Sequence, residues 1–292
     1  MSDYIIKMNK VVKSYGNSFA LNKLNMNVPQ GSVYGLLGKN GAGKTTALRI
    51  CMSLLKITSG NVNVLGVNPW NMPINIKQDI GYSSDSMQLI PWLKVADILS
   101  YNGSFYKNWD KEYVNQWVKR LNLSLDKRVF QLSRGNRQKL ALAMAIGHKP
   151  KLLILDEPAG GLDPVARKEF LESIIELIHE SGTTILISSH SLDDLERISD
   201  YIGIIENGSM KLETNLEDLK DSTKQVTIFS SKSIENFSNN NLIYSESKNN
   251  QFTGIFKNWN DESYSKLKEK FPDSNIEVNS MKLEDIFLAY NK

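Results

Sequence analysis

Residues 38–46 read Gly-Lys-Asn-Gly-Ala-Gly-Lys-Thr-Thr, between an apolar run, Val33 to Leu37, and a helix-compatible run, Ala47 to Leu55. Gly38, Gly43, Lys44 and Thr45 fit the spacing G-x-x-x-x-G-K-[ST], and a strand before with a helix after is the context that spacing requires. Gly41 and Gly43 let the backbone turn so that successive N–H groups point inward, and the positive end of the following helix adds to the same spot. Gly38, Asn40, Gly41, Ala42, Gly43, Lys44, Thr45 and Thr46 are therefore expected to cradle a polyphosphate. Lys44 would reach the β- and γ-phosphates, and Thr45 would ligate the Mg2+ that bridges them. The alternative, a glycine turn whose lysine is merely solvated, does not account for the flanking strand and helix.

Outward from this loop, apolar and polar residues alternate around Ile5, Met8 and Val11 and again around Leu24, Met26 and Val28, with Pro29-Gln30-Gly31 before Val33. Alternation and that turn predict antiparallel strands leading into the loop. Further strands are expected at Asn61 to Leu65 and Asp79 to Ser83. From Trp92 to Gly147 the spacing of Val114, Trp117, Val118 and Leu121 is helical, and three or four helices fit there. Strands then alternate with helices at Leu152 to Leu155, Val165 to His179, Thr183 to Ser188, Leu192 to Ser199 and Tyr201 to Ile205. Short apolar strands separated by helices predict an α/β fold with a mostly parallel sheet covered on both faces. After Gly208 the composition shifts toward Ser, Asn and Lys, which places a boundary near residue 214. Strand-like pieces at Val226 to Phe229 and Phe252 to Phe256, and helices carrying Leu267 and Ile286, predict a small C-terminal α+β appendage.

With 35 Lys and Arg against 32 Asp and Glu, the formal net charge is only +3. That surplus is too slight to argue for a nucleic-acid footprint, which wants clustered basic charge, and no nucleic-acid partner is expected. A single cysteine, Cys51, excludes an intramolecular disulfide and reads as core filler. The longest apolar runs, Leu152 to Leu155 and Ile185 to Ile187, fall far short of a membrane span, and no signal-peptide pattern opens the chain.

A second motif reinforces the first. Leu152-Leu153-Ile154-Leu155-Asp156-Glu157 is a buried strand ending in two carboxylates, at the sheet edge where α/β proteins bind ligands. Asp156 is expected to hold Mg2+ from its second side, and Glu157 to polarise a water in line with the γ-phosphate. Acidic residues also commonly cap the helix after a strand, so the phosphate loop is what favours the catalytic reading.

Leu132-Ser133-Arg134-Gly135-Asn136-Arg137-Gln138, ahead of a helix through Leu140, Leu142 and Ile146, resembles the LSGGQ-type signature of ATP-binding-cassette (ABC) ATPases. The resemblance covers residues 3 to 214 and implies a P-loop ABC cassette over 1–214, with an antiparallel β-subdomain and a helical subdomain at about 86–147, followed by an accessory α+β domain over 215–292. It implies that Ser133 and Gly135 contact the γ-phosphate of nucleotide held on the opposite subunit. Arg134 and Asn136 depart from the pattern, Arg134 in a way that would add a phosphate contact. The resemblance further places Tyr15 on adenine, where stacking contributes about 1 kcal/mol. It places Asp163 of Gly161-Leu162-Asp163-Pro164 at the dimer interface, and His190 as the γ-phosphate sensor, with catalytic roles for Glu157, His190 and Lys44. At the position usual for the Q-loop glutamine stands Asp85, expected to be a third Mg2+ ligand beside Thr45 and Asp156. The Leu283-Glu284-Asp285-Ile286-Phe287 ending and the Phe105 to Asp110 segment resemble ATPase subunits of ABC-2-type exporters, the YtrB-like group in particular. The implied protein binds and hydrolyses ATP with Mg2+, pairs with a second copy or a sister subunit, and powers a separate membrane permease from the cytoplasmic face as a peripheral subunit. The alternatives are a soluble mechanical ATPase of the same superfamily and an ATP-gated regulator.

Overall fold

The computed structural model describes residues 3–230, 237 and 239–290; residues 1, 2, 231–236, 238, 291 and 292, which belong to the two expected domain ranges, lie outside the described residues. The chain divides into two compact units, Met1–Glu213 and Thr214–Lys292.

In the first unit, β1 (Tyr4–Tyr15) and β2 (Ser18–Pro29) form an antiparallel hairpin. β3 (Val33–Leu37), α1 (Lys44–Cys51) and β4 (Ser59–Val64) follow, and β4 pairs antiparallel with β1 to give a sheet of order β2-β1-β4. The alternating residues Ile5, Met8, Val11, Leu24, Met26 and Val28 are buried, together with Ile6, against α1 and β3 residues in a single core. A short helix, α2 (Ile74–Lys77), leads to β5 (Ile80–Ser84). Three α-helices then occupy the expected helical stretch: α3 (Val95–Gly103), α4 (Lys111–Arg120) and α5 (Arg134–Ile146). Asp110 caps α4 by accepting from the Tyr113 backbone N–H at 2.9 Å. The inner stripe of α4 is Val114, Trp117 and Val118, all buried, and burial of each valine contributes about 1.5–3 kcal/mol.

β6 (Leu152–Asp156), α6 (Pro164–Ser181), β7 (Thr184–Ser189), α7 (Leu192–Ile198), β8 (Tyr201–Glu206) and β9 (Ser209–Asn215) complete the second sheet. Its order is β5-β6-β7-β3-β8-β9, and the four pairs β5/β6, β6/β7, β7/β3 and β3/β8 are parallel. Every residue of β3, β6 and β7 is buried, which explains why these strands read as unbroken apolar runs rather than alternations. Asn207 and Gly208, both at positive φ, turn β8 into β9. Cys51 is buried, and burial pushes its thiol up to about 12. Among the described residues no helix is long and apolar enough to cross a membrane.

The second unit contains α8 (Leu216–Ser222), β10 (Lys224–Phe229), β11 (Leu242–Lys248), β12 (Gln251–Phe256), α9 (Asp261–Lys270), β13 (Asn275–Ser280) and α10 (Leu283–Tyr290). Its strands form an antiparallel sheet of order β11-β12-β10-β13. Val226, Ile228, Phe252, Phe256 and Leu267 make its core, an α+β arrangement with its own apolar centre.

His148, just past the end of α5, ties that end to the parallel sheet by a hydrogen bond and stacks on Tyr106. The His148 ring lies 3.9 Å from that of Tyr106 at 12°, and its Nε2 is 3.2 Å from the carbonyl oxygen of Ile80 in β5. Burial is the largest influence on His148 and lowers its pKa below the ordinary 6.5, against the Ile80 hydrogen bond and the Asp79 charge, which raise it. The unfolded chain therefore takes up this proton first: the stabilisation is complete above about pH 6.5 and declines as the pH falls below it. Urea unfolding at pH 7.5 and pH 5.5 should show a smaller loss on acidification for His148→Phe than for the wild type; an equal loss would place the pH sensitivity elsewhere.

Candidate functional site

Parallel pairing brings the carboxyl ends of four strands to one edge, because Ser84 is in register with Asp156, Asp156 with Ser188, and Leu37 with Ser189. The loop after β3 wraps this edge. Gly43 caps α1 at φ 112°, and a Cβ there would sit 2.6 Å from the Ala20 carbonyl oxygen, so only glycine fits. The first turn of α1 starts at Lys44 with no acidic side chain, leaving its N–H groups and positive end for an anion.

The side chains at this edge form one connected set. Lys44 is buried, and its Nζ donates to the Gly38 carbonyl at 2.6 Å while lying 3.1 Å from Glu157 Oε1. Glu157 Oε2 is 2.7 Å from His190 Nδ1, so one carboxylate stands between a lysine and a histidine. Thr45 Oγ1 donates to Asp156 Oδ1 at 3.1 Å, and Ser188 Oγ donates to the same oxygen at 2.7 Å. Ser188 Oγ also accepts from the Glu157 backbone N–H at 3.0 Å. Glu157 is held at φ 49°, a left-handed conformation that costs a non-glycine residue about 1–2 kcal/mol. The buried Ser188 hydroxyl thus ties the two acids together and supports the strained backbone of the second.

A hydroxyl and a carboxylate oxygen side by side are hard donors of the kind that Mg2+ accepts, completing its shell with water and phosphate oxygens. Among the described residues no three His, Cys, Asp or Glu side chains cluster into a metal cage.

The remaining candidates lie on separate elements. Tyr15 ends β1 with 52 % exposure, and Lys13 Nζ lies 4.9 Å from its ring centroid. Ser133 caps α5, accepting from Asn136 N–H at 3.2 Å, and Gly135 sits in the first turn. Asp163 caps α6 by accepting from Val165 and Ala166 N–H at 3.1 and 3.0 Å. Next to β5, an open groove of about 570 Å3 is lined by Ser84, Met87, Leu89, Phe130 and Arg137 among others.

A family model described as ABC transporter matches residues 21–160. The chain is 37 % identical over 229 residues to the bacitracin transport ATP-binding protein BcrA of Enterococcus faecalis, covering 78 % of this chain and 74 % of that protein. The chain belongs to the ABC transporter ATP-binding family. It is also 31 % identical over 220 residues to the ABC transporter ATP-binding protein YtrB of Bacillus subtilis, covering 74 % of each. The solved dimeric cassette MJ0796, a bacterial ABC transporter cassette, superposes with a TM-score of 0.64 at 25 % identity, over 72 % of this chain and 98 % of that one. The ABC cassette fold expected from the motifs is the fold observed, and as a member of this family the chain is an ATP-binding, ATP-hydrolysing subunit.

Within the ABC cassette, two expectations change. Asp85 was expected on the metal with Thr45 and Asp156. Instead both its carboxylate oxygens accept from Arg134 Nη2, at 2.7 and 2.8 Å, and Gln138 Nε2 donates to Oδ1 at 3.0 Å. Its charge is already balanced by a guanidinium. Arg134, expected to add a phosphate contact, is held by that carboxylate in its own subunit. Two contributors were missed. Ser188 was read only as a strand residue before His190, although a serine one strand over from Asp156 was a usable signal once the parallel order was drawn. Gln138 was quoted in the signature but given no role.

Ser188→Ala would leave Glu157 N–H without its side-chain acceptor and Asp156 with Thr45 alone of its two hydroxyl donors. The unfolding free energy in urea should fall by about 1–3 kcal/mol; an unchanged value would mean that neither bond matters to the fold.

Proposed function

We propose that this cassette hydrolyses ATP at the connected set around Glu157 and uses the cycle to drive a separate membrane permease, as an exporter subunit at the inner face of the membrane. The observation that carries the proposal is the carboxylate of Glu157 between Lys44 and His190, beside the Thr45–Asp156 pair, at the mouth of the phosphate loop.

The loop residues Gly38, Asn40, Gly41, Ala42, Gly43 and Thr46 surround the phosphates with backbone N–H groups, and Tyr15 offers an exposed ring for adenine. Lys44 exchanges its contact with Glu157 for the β- and γ-phosphates, which frees the carboxylate. Glu157 then takes a proton from the attacking water as its oxygen bonds to the γ-phosphorus. The bond to the β,γ-bridging oxygen breaks, giving ADP and phosphate. Thr45 and Asp156 would hold Mg2+, which when bound would supply charge neutralisation on the phosphates. His190 is positioned by the same carboxylate to donate to a γ-phosphate oxygen.

Ser133 and Gly135 open α5, and the proposal has them contact nucleotide on a second cassette, with Asp163 near the seam. ATP then joins two cassettes, and loss of the γ-phosphate releases them. The groove after β5 receives a segment of the permease. Trp92 and Phe105, 68 % and 59 % exposed, add apolar surface on the same helical stretch. The bacitracin-transport relative supports a transport role, and bacitracin is the first cargo to test for stimulation of hydrolysis by the purified pair.

Glu157→Gln should lower kcat for ATP hydrolysis by at least about 100-fold with ATP binding retained; a normal rate would remove Glu157 from the role of base. Lys44→Ala should weaken ATP binding by at least about tenfold, measured by equilibrium titration, and unaltered affinity would contradict the phosphate-loop assignment.

A further inference from the structure

We infer that Asp85 and Arg134 act as a positioning pair: an ion pair through which the loop after β5 sets the N-terminal turn of α5, and with it Ser133 and Gly135. The inference deepens the proposed function and rests on its reading of that turn as the contact to a second cassette's nucleotide.

Each residue departs from the pattern of the motif it belongs to, and the two departures meet. Arg134 Nη2 donates to both oxygens of the Asp85 carboxylate, at 2.7 and 2.8 Å. Gln138, one turn further along α5 and buried, adds a bond to Oδ1 at 3.0 Å, so two successive turns of the helix are fastened to one side chain. The backbone N–H of Asp85 donates to the carbonyl oxygen of Asp156 at 3.1 Å. A continuous path therefore runs from Asp156 through the Asp85 backbone and carboxylate to the residue that starts α5. Gly161 closes over the pair: a Cβ there would lie 2.2 Å from Arg134 Nη1, so the guanidinium fills the space that a side chain at position 161 would occupy.

Position gives the pair its consequence. Arg134 stands between Ser133 and Gly135, so wherever its guanidinium is anchored, the two flanking residues are carried with it. Both members of the pair also line the groove beside β5. A segment seated in that groove touches the pair directly, and a shift of Asp85 is passed to the start of α5 without crossing the body of the domain. Half-exposed ion pairs of this kind do little for global stability, which makes orientation of the turn the property that should respond to their removal.

The test is a double-mutant cycle on the full chain: wild type, Asp85→Ala, Arg134→Ala and the double variant, each assayed for kcat and KM of ATP hydrolysis and for melting temperature. Each single variant should lose about fivefold in kcat with KM changed less than twofold, since the phosphate loop that binds ATP is untouched. The double variant should be no slower than the slower single one, because the second substitution removes nothing that the first has left. Melting temperatures should stay close to the wild type. Losses that multiply in the double variant, or single variants with unchanged kcat, overturn the pair while leaving the proposed function standing. A fall in melting temperature together with a raised KM would make the pair structural only. A wild-type chain that does not hydrolyse ATP overturns the parent reading and this inference with it.

Discussion

Register between parallel strands is the constraint on which the rest depends. Hydrogen bonding pairs Ser84 with Asp156, Asp156 with Ser188 and Leu37 with Ser189, so four loops must emerge at the same edge. A shift of one residue in any of these pairings would turn every side chain of that strand to the opposite face. The all-buried strands β3, β6 and β7 resist such a shift because a slip would break their apolar packing and move the buried polar ends Asp156, Ser188 and Ser189 off their partners. Chemistry at the edge is thus positioned by the packing of apolar residues that never touch the ligand.

At that edge the electrostatics centre on two carboxylates with different surroundings. Asp156 accepts from two hydroxyls, Thr45 and Ser188; it is suited to face a divalent ion. Glu157 meets Lys44 and His190, two groups that also have an affinity for phosphate. A γ-phosphate competes for the same partners, so nucleotide and carboxylate trade contacts, and the strained φ of Glu157 keeps its side chain aimed at the exchange. The neighbouring carboxylate, Asp85, is removed from this competition by Arg134. Three acids within a short stretch of sheet edge are thereby given three fates by their neighbours.

Much of this was legible in the sequence, for identifiable reasons. The phosphate loop could be read because its glycines are demanded by backbone geometry at Gly43, where any side chain meets the Ala20 carbonyl. The strands ending at Asp156 and Ser189 could be read because burial on both faces writes itself as an apolar run. What could not be read was pairing across elements distant in the chain. Asp85 and Arg134 are 49 residues apart, and each looked like an isolated departure until the fold brought them together. In the C-terminal unit, β11 and β13 were missed because they are edge strands of the sheet with mostly exposed residues, so the alternation of Ile276 and Val278 was too short to stand out. Ser188 was hidden by its own modesty as a residue type: serine at the end of a strand carries no motif, and its role follows only from the neighbour that parallel pairing gives it.

The central claim is that bound ATP, uncleaved, joins two cassettes through the start of α5. Sedimentation velocity of the Glu157→Gln chain with ATP and Mg2+ tests it most directly. The account predicts a species of twice the chain mass that reverts to single chains when ADP replaces ATP; a chain that stays monomeric while saturated with intact ATP would contradict it.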